Sequence, residues 1–110
     1  MDKFKALQHL INFDLSLDEL KALLSQTSWD ETCGIELKKH HLNKILMLYK
    51  EGKIQYATLS EWANLLENRE DISYQSNHEK IMEDTIYKLA NPDLEGIVSD
   101  DEIDLFLLKN

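Results

Sequence analysis

The chain is poor in cysteine and in long apolar runs, and each absence narrows the classes of protein to which it can belong. Cys33 is the only cysteine, so no disulfide can form within the chain, and we expect a reducing, cytoplasmic location. The longest apolar runs, Ile45 to Tyr49 and Leu105 to Leu108, are too short to span a bilayer. The N-terminus has no apolar segment of signal-peptide length, so we expect neither a leader nor a membrane partner.

Residue patterns that would support catalysis or metal binding are also missing. The four histidines, His9, His40, His41 and His78, form no His-x-x-x-His pair, and the adjacent His40 and His41 would point about 100° apart on a helix. No glycine-rich phosphate loop is present, and four of the eleven Ser and Thr residues stand at predicted helix caps. We therefore expect no enzymatic activity, no cofactor and no bound metal.

What the sequence does contain is a strong helical signal. Four Ser/Thr-x-x-Glu sequences, each followed by apolar residues at helical spacing, predict helix starts that are closed by capping boxes. These sequences are Ser16 to Glu19, Thr58 to Glu61, Ser76 to Glu79 and Ser99 to Glu102. The apolar stripe that includes Trp62 predicts that this ring lies in the core.

No run alternates for long enough to predict a strand, although residues 34–37 could pair briefly. Hydrophobic residues make up 43% of the 110 residues, which is ordinary for a globular chain and sufficient for one core. The sequence therefore predicts a single all-α domain over residues 1–110, a compact bundle of five or six short helices.

Acidic residues are distributed unevenly between the two halves of the chain. Residues 1–55 contain eight acidic residues and eight lysines, whereas residues 56–110 contain thirteen acidic residues and four basic ones, so the second half carries the whole formal charge of −9. A negative field attracts basic partners and repels the phosphates of nucleic acid. Solubility alone can explain moderate acidity, but it does not explain why the charge is confined to one half. We expect a basic protein partner and no nucleic acid partner.

The acidic residues of the second half include three groups that are candidates for a contact surface. One group surrounds Tyr74, a ring that is interpreted either as an interface anchor or as a cover over the edge of the core. A second group lies on the polar face of the following helix, and a third lies at the start of the last helix, where opposing lysines are scarce. The candidate contact residues in these groups are Glu67, Glu70, Asp71 and Tyr74; Glu79, Glu83 and Asp84; and Asp100, Asp101 and Asp104.

Residues 91–102 provide an alternative interpretation, because they resemble a calcium loop between two helices. The loop would place Asn91, Asp93, Glu95, Gly96, Ser99 and Glu102 at positions 1, 3, 5, 6, 9 and 12. Position 1 is normally an aspartate, and calcium loops commonly occur in pairs. A helix stop, a turn and a capping box account for the same residues. This alternative would make the protein a calcium-binding or other regulatory adaptor, and a third, weaker class is a structural subunit of a larger assembly.

A resemblance to a known family favours the first interpretation. The stretch from His41 to Ile54, followed by residues 60–72 and 89–92, resembles small acidic bacterial immunity proteins of the contact-dependent growth inhibition kind, encoded at polymorphic-toxin loci. The most specific part is the pattern Trp-Ala-Asn-x-x-Glu-x-Arg-x-Asp-Ile over residues 62–72, and the whole resemblance covers roughly residues 35–108. In the related proteins the segment after the Asn-Pro pair looks like a plain loop between helices.

The resemblance implies a protein that binds a cognate toxin domain inside the producing cell and blocks it by occlusion. Many such toxins are nucleases with basic clefts, which fits the negative charge of the second half. The candidate contact residues above then become toxin-binding residues. We expect the protein to be a monomer when it is free.

Overall fold

Helices make up most of the chain, as the sequence predicts, but two short strands also form. The computed structural model describes residues 3–26, 34–67 and 69–108, and Cys33 lies outside them. In chain order the elements are α1 (Lys3–Asn12), α2 (Leu17–Ser25), β1 (Ile35–Leu37), α3 (Lys39–Lys50), α4 (Tyr56–Leu66), β2 (Ile72–Tyr74), α5 (Glu79–Ala90), α6 (Pro92–Glu95) and α7 (Asp100–Leu108). None of the described helices is long and apolar enough to cross a bilayer.

The two strands correct the all-α prediction. β1 and β2 pair in parallel, with Ile35 opposite Ile72 and Leu37 opposite Tyr74. Gly34 lets the strands approach at this edge, because a Cβ there would lie 3.2 Å from the Asp71 carbonyl oxygen. Each strand has three residues, which is too short for an alternating pattern to be visible in the sequence. The pairing depends on tertiary packing that brings the two segments together across α3 and α4.

Two of the four predicted capping sites are confirmed. Ser16 and Glu19 form a capping box at the start of α2, in which the Ser16 hydroxyl accepts from the Glu19 N–H at 3.2 Å. The Ser99 hydroxyl likewise accepts from the Glu102 N–H at 3.2 Å before α7. These hydroxyls satisfy backbone donors that have no partner within the helix.

The other two predicted capping boxes are wrong. α4 begins at Tyr56 with Gln55 at its N-cap, so Thr58 lies within the first turn of the helix. α5 begins at Glu79 with His78 at its N-cap, so Ser76 lies in the turn that precedes the helix. The Ser/Thr-x-x-Glu pattern located both helices to within about one turn, which is the usual precision of such signals.

Gly52 ends α3 as a left-handed residue, with φ +77°. The Gly52 N–H donates to the Tyr49 carbonyl at 3.0 Å, and the Lys53 N–H donates to the Leu48 carbonyl at 2.9 Å. This pair of hydrogen bonds is the Schellman arrangement, which reverses the chain direction and allows α4 to fold back on α3. A side chain with a Cβ would be strained at this φ.

The core is centred on α4, which packs most extensively against α5. Trp62 is fully buried, as its stripe predicts, and its indole N–H donates to the Leu10 carbonyl at 2.7 Å. Because the indole donor is satisfied, this large ring is buried without an unpaired polar atom and joins α4 to α1. Other fully buried side chains include Leu7, Leu20, Leu37, Leu42, Leu46, Leu59, Leu66, Met82 and Ile86.

An acidic groove between the sheet and α5

A groove of about 690 Å³ opens between the β1–β2 sheet and α5. We call it the acidic groove, because four carboxylates from three different segments of the chain line it. They belong to Glu36 of β1, Glu67 at the end of α4, and Glu79 and Glu83 of α5. The remaining described lining residues are Arg69, Ile72, Ser73, Tyr74, Ser76, Ile86 and Tyr87. Four of the ten predicted contact residues, Glu67, Tyr74, Glu79 and Glu83, therefore share one concave surface.

α5 presents two different faces, and this separates residues that are neighbours in sequence. Glu79 and Glu83 are one helical turn apart and both line the acidic groove. Asp84 lies about 100° further round the helix. It lines a second, smaller groove of about 240 Å³, together with Lys88 of α5 and Phe106 of α7. Asp84 therefore does not share the acidic groove with Glu79 and Glu83, although the sequence places all three on the polar face of one helix.

The cation that lines the groove, Arg69, is already paired. Its Nε and Nη2 atoms donate to the two oxygens of Asp71, each at 2.9 Å, in a bidentate ion pair whose side chains are largely buried. Bidentate pairing fixes the guanidinium and cancels most of its charge. Asp71 therefore acts on the groove indirectly, by neutralising Arg69, rather than as a free carboxylate. Glu70, the next predicted contact residue, is exposed in the turn before β2.

Tyr74 lines the groove and combines the two interpretations of its sequence position. The ring is partly buried and packs against the edge of the core, while it also lines the groove. Burial raises the pKa of the Tyr74 hydroxyl, and the carboxylates of Glu83 and Glu67 raise it further. The phenol is therefore a neutral hydrogen-bond donor that faces two acidic side chains.

Glu67 is oriented by a hydrogen bond from the far end of α5. The Asn91 side-chain amide donates to both Glu67 oxygens, at 3.1 and 3.3 Å, and also to the Tyr87 carbonyl at 2.8 Å. The amide thus holds the carboxylate at the groove rim and closes the last turn of α5. Nothing in the sequence pattern indicated this contact, because the two side chains meet only after α4 and α5 have packed.

The same contact bears on the calcium interpretation of residues 91–102. Pro92–Glu95 folds into a helical turn, α6, and the Asp93 and Glu95 side chains are exposed. Asn91, the predicted first ligand, is instead bonded to Glu67. Within the described ranges, no three His, Cys, Asp or Glu side chains converge as a metal site requires.

The acidic residues of α7 lie outside the groove and have different surroundings. Asp104 forms an ion pair with Lys50 of α3, and Glu102 lies 3.9 Å from Lys88. Asp100 and Asp101 are exposed in the first turn, where the partial positive charge of the helix terminus favours acidic side chains. A structural role at the helix start therefore accounts for part of this cluster.

Glu36 is a groove residue that the sequence analysis did not identify. It lies in the first half of the chain, where acidic and basic residues balance, and its importance comes from the strand pairing that places it opposite Ser73. The one available signal was the short stretch that could pair as a strand. None of the four histidines is among the described lining residues, and the groove offers carboxylate acceptors and a phenol rather than a nucleophile with its base.

No protein-family model matches this chain, and neither a curated protein nor a solved structure matches it.

Proposed function

We propose that this chain is a bacterial immunity protein that neutralises a cognate toxin domain by binding a basic surface of the toxin in the acidic groove. The observation that carries the proposal is the convergence of Glu36, Glu67, Glu79 and Glu83 on one groove around Tyr74. The resemblance of residues 35–108 to small acidic immunity proteins points in the same direction.

The charges of the groove suit a lysine- or arginine-rich partner. Glu36, Glu79 and Glu83 pair with no Lys or Arg of the described chain, so their charges are available to a partner. Such a field steers a basic partner into encounter and speeds association. Tyr74 adds a rigid, partly apolar surface of the type that is common at binding hot spots.

Occlusion is the mode of inhibition that fits this arrangement. A nuclease toxin binds phosphates through a basic cleft, and the carboxylates of the groove can occupy the same cationic side chains. The protein would act in the cytoplasm of the producing cell, as a monomer before it meets the toxin. It would need neither a cofactor nor a metal for this role.

The test uses two adjacent residues on one helix. Glu83 and Asp84 are both exposed, but only Glu83 lines the acidic groove. Co-expression with the toxin domain encoded beside this chain should protect cells. Glu83→Lys should weaken the complex by at least about tenfold, because it places like charges in contact. Asp84→Lys should change the dissociation constant by less than about threefold, since it reverses the same charge outside the groove.

The outcomes separate two kinds of failure. If the unaltered chain neither protects cells nor binds the neighbouring toxin domain, the immunity function is wrong. If protection occurs but Asp84→Lys abolishes it while Glu83→Lys does not, the function stands and the contact surface has been assigned to the wrong face of α5. Melting temperatures of both variants should stay near that of the parent, because both side chains are exposed.

A further inference from the structure

The start of α3 is held by a histidine in its neutral form. His41 is the third residue of α3, and its Nδ1 atom accepts a hydrogen bond from the Lys38 N–H at 2.9 Å. A ring nitrogen that accepts from an N–H carries no proton, so the ring is neutral and its proton lies on Nε2. Glu or Gln fills this role in an ordinary capping box. Histidine differs from both because its acceptor is lost when the ring is protonated in mild acid.

The surroundings of His41 oppose a positive charge. The residue is 9% exposed, and the centroid of its ring lies 4.0 Å from that of His40. Burial, followed by the positive charges of His40, Lys38 and Lys44, lowers the pKa of His41 to about 4. Protonation would therefore both break the Lys38 hydrogen bond and place a further cation among these groups.

Neighbouring elements contribute uncharged groups to this end of α3. The Asn12 carbonyl, at the end of α1, accepts from the Lys44 ammonium at 2.6 Å. The Phe106 ring of α7 lies 5.7 Å below the Lys39 ammonium. Neither the Asn12 carbonyl nor the Phe106 ring is a carboxylate that would stabilise a protonated His41.

The same helix start is fastened to the strand pair. The Gln75 side-chain oxygen accepts from the Lys39 N–H at 2.8 Å, and the Gln75 N–H donates to the Leu37 carbonyl at 3.0 Å. Gln75 directly follows β2, and Leu37 ends β1. The amides of Lys38 and Lys39 are thus held by His41 and Gln75 at the point where the sheet meets α3.

We propose that His41 is a pH-sensitive latch: when neutral it closes the first turn of α3, the turn that Gln75 joins to the β1–β2 sheet, and when protonated it releases that turn. The stabilisation is complete above pH 6.5, the usual pKa of histidine, and is lost progressively as the pH falls towards 4. Over that window the folding equilibrium constant falls by up to about tenfold per pH unit, because the opened chain binds a proton that the folded chain excludes. Because Tyr74 precedes Gln75, release also loosens one wall of the acidic groove. If the proposed function holds, partner binding therefore weakens in acid.

The test compares the full chain with His41→Gln and His40→Gln in urea unfolding at pH 7, 6 and 5. Gln keeps an acceptor at the third position of the helix but does not titrate, so His41→Gln should lose less stability in acid than the parent. His40→Gln removes an exposed histidine whose charge helps to lower the pKa of His41, so it should reduce the pH dependence less than His41→Gln does. Equal pH dependence of the parent and His41→Gln would overturn the proposal.

A second measurement on the unaltered chain covers the case in which His41→Gln does not fold. The ring resonances of His41 should titrate near pH 4 in NMR spectra, and the Lys38, Lys39 and Gln75 amides should lose exchange protection, relative to their intrinsic rates, between pH 7 and 5. Titration of His41 near 6.5 with unchanged protection would refute the latch. Neither measurement involves a partner, so their results are independent of the immunity function.

Discussion

The acidic groove and the start of α7 are both rich in carboxylates, but the fold surrounds them differently. At α7, Lys50 pairs with Asp104, and Lys88 lies 3.9 Å from Glu102. In the groove, the described lining cation is Arg69, and Asp71 already neutralises it. A cluster of acidic residues in a sequence therefore becomes an available negative surface only where the fold keeps lysines away from it.

The charge difference between the two halves of the chain does not by itself determine where the negative surface lies. Lys50 belongs to the neutral first half, yet it pairs with an acidic residue of the second half. Lys21 and Glu61 repeat this pattern, with 2.7 Å between ammonium and carboxylate. In the opposite direction, Glu36 of the first half lines the groove. The negative surface is thus a product of packing rather than of the C-terminal half alone.

The largest expected change in the free energy of unfolding comes from a substitution in the core, which supports both the acidic groove and α7. Trp62→Ala should lower the free energy of unfolding by about 3–5 kcal/mol, because it leaves a cavity and removes the hydrogen bond to the Leu10 carbonyl. Urea unfolding at pH 7 measures the loss. Leu105→Ala is the control, since this α7 residue is 57% exposed and should lose no more than about 0.5 kcal/mol. A loss below about 1 kcal/mol for Trp62→Ala would contradict its place in the core.

Trp62 illustrates what could be predicted from the sequence. The apolar stripes located the helices because a buried helical face repeats every three to four residues, and that local signal survives whatever the tertiary context. Tyr74 was likewise identified from its local neighbours. The polar face of α5 was predicted as one surface, and the structure divides it, since the neighbours that approach each side of a helix are set by packing.

The structural features that the sequence did not predict depend on contacts between segments that are distant in the chain. β1 and β2 have three residues each and pair only when α3 and α4 have brought them together. His41 lies in a run of basic residues, which is a composition typical of a solvent-exposed segment. The fold nevertheless buries both His41 and the nearby Lys39. No local pattern distinguishes a solvated histidine from one that accepts a backbone hydrogen bond.

The next prediction tests the comparison directly, with two double charge reversals. Glu79→Lys/Glu83→Lys alters the groove, and Asp100→Lys/Asp101→Lys alters the start of α7; both change the net charge by the same amount. The groove variant should weaken binding of the proposed toxin partner by about thirtyfold or more, which is about 2 kcal/mol, through like-charge contacts. The α7 variant should weaken it by less than about threefold. Association rates measured at low and high salt should converge for the groove variant and the parent as screening increases.

The reverse ranking would show that α7 supplies the contact surface. Equal effects would mean that the partner responds to net charge and not to the groove. Both variants should be less stable by up to about 1 kcal/mol, because Glu79 begins α5, Asp100 and Asp101 begin α7, and lysines at a helix N-terminus oppose the helix dipole. Binding should therefore be compared at a temperature where both variants are folded.

The effect of Asp71→Asn on association should lie between that of the charge reversals and that of Lys50→Ala. The change leaves the positive charge of Arg69 without its carboxylate partner in the groove. The Arg69 and Asp71 side chains are 18% and 13% exposed, between the buried and surface cases, so we expect a stability loss of about 1–2 kcal/mol. Association with the proposed toxin partner should also slow, because an unpaired guanidinium would then face the basic surface proposed for it. The double variant Arg69→Gln/Asp71→Asn is the control and should recover the association rate. Failure to recover it would mean that Asp71 contacts the partner itself.

The smallest expected effect is that of Lys50→Ala. The side chains of Lys50 and Asp104 are 31% and 44% exposed, so removal of this ion pair should lower the free energy of unfolding by less than about 1 kcal/mol. The change leaves Asp104 unpaired and makes α7 resemble the groove in its free negative charge. If the groove is the contact surface, the association rate with the toxin should rise only slightly, through net charge, and dissociation should not change. A slower dissociation would show that an unpaired Asp104 can join the interface, and the distinction between the two acidic regions would then lie in Lys50 alone.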